Sequence, residues 1–200
     1  MSGRHVVLGI GNILNRDEGL GVRALDLLEE RVGVVPDVEY VDGGVMGLTL
    51  LPLVEECDHL LVLDAIDAGA EPGELIEMSG DEIRLFSGVK MSEHQITFQE
   101  VLGLAFIRDK LPPHLHLIGA QPANLSIGLE ISDRVRRTLS PIVVRAAAVL
   151  RDWGFEVPDG LEGSDRGEGS RSTTTIADPS DGPIPPTWAD SRVPSRLGPA

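Results

Sequence analysis

Short, unbroken apolar runs separated by amphipathic stretches constrain this chain more than any other feature. His5-Val-Val-Leu-Gly-Ile10 and His59-Leu-Leu-Val-Leu-Asp64 show no polar alternation, so both faces of the strands they predict must be covered. Between them, residues 19–31 space Leu20, Ala24, Leu27 and Leu28 along one face of a helix. Residues 38–41 predict a second strand, 48–57 a second helix, and 73–78 a more weakly patterned strand. A helix is expected over 97–110 through Phe98, Val101, Leu102 and Ala105, a last strand over 116–120, and a long final helix over 133–153. Strands alternating with amphipathic helices predict an α/β domain on a largely parallel sheet. Right-handed crossovers then bring the C-terminal strand ends to one edge, where ligands usually bind.

This pattern stops near Val157. Residues 158–200 hold seven of the 14 prolines and are otherwise rich in Gly, Ser, Thr, Asp and Arg. Such a segment buries too little apolar surface to offset its ordering entropy, so a disordered tail is expected over 158–200 and a folded domain over 1–157. Within the 200 residues, 32 acidic against 17 basic side chains give a net charge of −15. The first 157 residues carry −12 of it, so the acidity belongs to the domain. Nucleic-acid binding requires Lys and Arg against phosphates, and anionic membranes repel such a surface; neither partner is expected. No apolar run approaches the ~20 residues of a bilayer span. Met1 to His5 runs straight into a strand, leaving no room for a signal peptide, and a cytoplasmic location is expected. Cys57 is the only cysteine, which excludes an internal disulfide and a thiolate zinc site.

The predicted binding edge collects Gly9-Ile-Gly11-Asn12, Asp17-Glu18-Gly19, Asp42-Gly43-Gly44 and Asp64. Gly9-x-Gly11 suggests a dinucleotide loop, but Leu14 occupies the position of the third glycine, and Asp17 and Glu18 would repel a pyrophosphate. Tight-turn geometry is the plainer role for these glycines. Cys57 stands beside Asp58, whose charge disfavours a thiolate nucleophile, and reads better as a small half-buried apolar residue. Glu18, Asp64 and His94 offer two carboxylates and an imidazole, a set suited to nickel, zinc or iron with open positions left over. Each also has a duller reading: Glu18 on a helix dipole, Asp64 in a turn, His94 as a solvated loop residue.

Several segments together resemble the nickel–iron hydrogenase maturation endopeptidases. The resemblance rests on residues 9–23 (Gly-Ile-Gly-Asn-Ile-Leu-Asn-Arg-Asp-Glu-Gly-Leu-Gly-Val-Arg), on Asp42-Gly-Gly-Val-Met-Gly47, and on Asp64-Ala-Ile-Asp-Ala-Gly69 with Pro72-Gly73. Ser92-Glu-His94-Gln and Gln121-Pro122 with Gly128 and Ser132 complete it, in order over residues 4–155. Ala123 departs from the acidic residue that often follows Gln-Pro in that family. The resemblance implies a three-layer fold: a twisted, mostly parallel sheet with helices on both faces. It also implies removal of a C-terminal peptide from the precursor of a hydrogenase large subunit. Glu18, Asp64 and His94 are then both the catalytic centre and the nickel ligands, and the nickel is borne by the substrate. No nucleophile signature supports an acyl-enzyme, so hydrolysis assisted by the metal or by a carboxylate is expected, with Asp17, Asp42 or Asp67 as proton acceptor. A monomer is expected. The alternative is a non-proteolytic module that holds or delivers nickel, against which the lack of His-rich tracts counts.

Overall fold

The central strands form where the sequence is apolar without interruption, because only a strand covered on both faces can bury every residue of such a run. A computed structural model describes residues 3–80, 82–83 and 98–158; these all belong to one compact unit. Strand β1 spans Arg4–Ile10, and helix α1, Leu20–Val32, follows a single 3-10 turn at Arg16–Gly19. Next come β2 (Glu39–Gly44), α2 (Leu51–Glu56), β3 (Cys57–Ala65) and β4 (Leu75–Ser79). Helix α3 (Phe98–Ile107), β5 (His114–Ala120), α4 (Asp133–Arg136) and α5 (Leu139–Asp152) complete the order.

The sheet runs β2-β1-β3-β5-β4, parallel except for β4, which pairs antiparallel with β5 at the edge. Alternate side chains of each strand point to opposite faces. Val7, Leu61, Leu63 and Ile118 pack with Leu20, Leu28, Ile142 and Val143 from α1 and α5. Val6, Leu8, Leu60 and Val62 pack on the other face with Val54, Val101 and Leu102 from α2 and α3. Leu60 to Leu63 are all 0% exposed, and each such side chain contributes about 1.5–3 kcal/mol of transfer free energy. The expected three-layer α/β architecture is the one observed.

Two predicted helices are interrupted, each by a proline. Proline lacks an N–H and is accepted only in a helix's first turn. Pro52 therefore fixes α2 to begin at Leu51, behind a 3-10 turn at Gly47–Leu50, and Cys57 is not the helix end but the first residue of β3. Pro141 likewise makes a new helix begin at Leu139, so the predicted continuous helix over 133–153 is α4 and α5. Asp42-Gly43-Gly44, read as a turn after β2, lies inside that strand, with a register irregularity opposite Gly9 and Ile10. The segment carrying His94 and the predicted tail from residue 159 lie outside the described residues. Among the described residues no helix is long and apolar enough to cross a membrane.

Candidate active site

The chain leaves β1 for β2 on one side and later returns to place β3 on the other, so the C-terminal ends of β1 and β3 form a topological switch point. Connections diverge there and leave a crevice. Glycine spacing makes that crevice possible. Gly11 has φ 129°, and a Cβ on it would collide with the carbonyl oxygen of Glu18. A Cβ on Gly21 would collide with the carbonyls of both Leu63 and Ile10. The first turn of α1 thus presses against the two strand ends, and the 3-10 turn before it carries Glu18 over them. These glycines serve close backbone approach as well as turning.

Glu18 and Asp64 line one cleft of about 540 Å³, walled by Ile10, Val45, Leu50, Phe98, Pro122 and Leu125. Asn15 Nδ2 donates to Glu18 Oε2 at 2.6 Å and orients that carboxylate. Asp64 accepts from the backbone N–H of Ala65 at 2.7 Å. Burial pushes the Asp64 carboxyl up to about 8; the Ala65 N–H works against this, and the charge of Glu18 adds to it. Two carboxylates against apolar walls are a poor arrangement by themselves and a good one around a cation, whose charge reverses both penalties. Among the described residues no three His, Cys, Asp or Glu side chains converge as a complete metal site; His94 lies outside those residues.

The three aspartates weighed as proton acceptors separate clearly. Asp17 is 0% exposed. Its carboxylate accepts from Ala123 N at 2.9 Å, Asn124 N at 2.8 Å, Ser132 N at 2.6 Å and Ser132 Oγ at 2.9 Å. Fully buried and held by four donors, it ties the loop after β1 to the loop after β5 and is structural. Asp42 is exposed near the end of β2 and accepts from Gly44 N at 2.9 Å. Asp67 lines the cleft. Gln121 holds the Asp67 loop in place: its Oε1 accepts from Ala68 N at 2.9 Å and Ala70 N at 3.1 Å, and its Nε2 donates to Asp67 at 3.2 Å. Gln121 and Asn15 stand in segments that carry the family resemblance, but their roles as clamp and orienter were not read from the sequence. Nothing in an amide side chain itself tells which backbone N–H or carboxylate it will meet, so the motif marked the segments without their contacts. Cys57 lies at the opposite end of β3, buried, with its thiol pushed up to about 11 by that burial, and takes no part in the cleft.

Fold and cleft together define an α/β protein with paired carboxylates at its switch point. The sequence profile of the family described as "HycI: Hydrogenase maturation protease" matches residues 22–149. The hydrogenase expression/formation protein HupD of Bradyrhizobium diazoefficiens is 46% identical over 156 residues, 77% of this chain and 81% of that protein. The hydrogenase 2 maturation protease of Escherichia coli is 35% identical over 76% of this chain and 94% of its own length. The solved E. coli hydrogenase maturating endopeptidase HybD superposes with a TM-score of 0.70 at 33% identity, covering 77% of this chain and 96% of that one. The chain belongs to the hydrogenase maturation protease family and is an endopeptidase, which decides against the delivery-module alternative.

Proposed function

We propose that this endopeptidase removes the C-terminal peptide from the nickel-loaded precursor of a nickel–iron hydrogenase large subunit, with Glu18, Asp64 and His94 as ligands to the substrate's nickel. The observation that carries this reading is the joint lining of one cleft by Glu18 and Asp64, with Asp64 held in a setting that favours a cation beside it. Held by Glu18, Asp64 and His94, an ion borne by the substrate would polarise the scissile carbonyl. Attack by water then requires a proton acceptor, and of Asp17, Asp42 and Asp67 it is Asp67 that lines the cleft.

A protein substrate also suits the rim. Leu14 and Ile127 are 57% and 87% exposed, and their loops are zipped by Gly128 N to Leu14 O and Arg16 N to Gly128 O, both at 2.8 Å. Val45 and Leu125, 64% and 51% exposed, line the cleft itself. Exposed apolar side chains at the cleft suit contact with a protein substrate. The test is the mass of the large-subunit precursor after incubation with wild-type protein or with Glu18→Gln, Asp64→Asn or His94→Ala. Wild-type protein trims the precursor. Asp64→Asn and His94→Ala leave it intact, and Glu18→Gln slows it at least tenfold. Normal trimming by Asp64→Asn or His94→Ala removes that residue from the ligand set.

A further inference from the structure

Four of the chain's five histidines lie at the opposite edge of the sheet, on the face covered by α1 and α5. His5, His59 and His114 occupy the N-terminal parts of β1, β3 and β5 and face one another in register, His5 with His59 and His59 with His114. The Nδ1 atoms of His5 and His59 are 3.0 Å apart. His114 stacks on His59 at 4.2 Å and 12°, Trp153 packs edge-on to His59 at 5.0 Å, and Phe155 lies 5.0 Å from His5. His116, further along β5, is engaged separately by Glu77 at 2.8 Å, which also holds Arg145.

We infer that His5 and His59 form a two-imidazole site for a late first-row divalent ion, with water completing the coordination. The proposal is independent of the cleft and of the proposed cleavage. Two nitrogens 3.0 Å apart, each about 2.1 Å from an ion, subtend roughly 90° at it, the cis angle of tetragonal copper(II) or nickel(II). Both rings must turn, each by roughly 45°, for their lone pairs to aim at that point rather than at one another. Stacking on His114 and the flanking rings of Trp153 and Phe155 restrict both imidazoles already, so little rotamer entropy remains to be lost on binding. In the metal-free pair one Nδ1 donates its hydrogen to the other. When the ion binds, that proton moves through solvent to Nε2 of the same ring, and a neutral pair binds without net proton release. Burial, with His114 and His5 nearby, holds the His59 imidazole below its ordinary range, which keeps its lone pair available at neutral pH. No third His, Cys, Asp or Glu completes a cluster among the described residues, so moderate affinity is expected, strongest for copper(II).

The test titrates copper(II) chloride into the full chain carrying Trp188→Phe, so that Trp153 is the only tryptophan reporting. The expected result is saturable 1:1 quenching of Trp153, weakened tenfold or more by His5→Gln and by His59→Gln and unchanged by Asp64→Asn. Electron paramagnetic resonance of the copper-loaded chain should show coupling to two imidazole nitrogens. It reads the wild-type pair directly, so the proposal remains testable if His59→Gln does not fold. Quenching that survives His5→Gln, quenching that disappears with Asp64→Asn, or a spectrum without two-nitrogen coupling overturns the proposal.

Discussion

Asp64 shows how a functional group weakens the fold that holds it. A carboxyl whose pKa rises from 3.8 to about 8 on folding binds its proton more tightly in the native state. Stability is therefore lost as pH rises from about 4 through about 8. Asp64→Asn, neutral throughout, is expected to match wild type below pH 4 and to exceed it at pH 7. Each pKa unit is worth about 1.4 kcal/mol, and partial exposure discounts the total, leaving a gain on the order of 2 kcal/mol. Thermal or denaturant unfolding at pH 3.5 and pH 7 checks this; a variant less stable than wild type at pH 7 contradicts it. Asp17, one residue from Glu18, is the opposite case: a buried carboxylate with four donors. Residue chemistry alone offered no means of separating the two, and only the family resemblance distinguished Glu18, because adjacent acidic residues in a loop look alike until the loop after β5 closes over one of them.

At the scale of elements, β1, β3 and β5 were legible because continuous apolar runs admit few other placements. The glycines were legible as a pattern but not as a purpose, since close approach of α1 to β1 and β3 is a property of three separated segments. Gly21→Ala tests it. Its Cβ would meet the backbone carbonyls of Leu63 and Ile10, neither of which can turn aside. The expected cost is about 3 kcal/mol or more, above the usual range for overpacking because backbone must move. Circular dichroism melting measures it, and an unchanged midpoint would show that α1 does not press on the strands. The helix breaks at Pro52 and Pro141 were readable in hindsight from proline alone. Apolar spacing carried through them and concealed the new helix starts.

At the scale of the molecule, every segment that carries the family resemblance precedes residue 158. Val157 closes the core beside α5, at 9% exposure. Truncation after Val157 is expected to change stability by no more than about 1 kcal/mol, the scale of changes outside packed regions, and to preserve cleavage. A truncated chain that folds normally but no longer processes its precursor would make the last 43 residues a recognition element.

The central claim is that nickel carried by the substrate licenses the cut through Glu18, Asp64 and His94. It is tested most directly by incubating wild-type protein with large-subunit precursor prepared with nickel and with the same precursor prepared without it, and weighing both products. Loss of the C-terminal peptide from the nickel-loaded form alone is the predicted result. Equal trimming of the nickel-free precursor would contradict it.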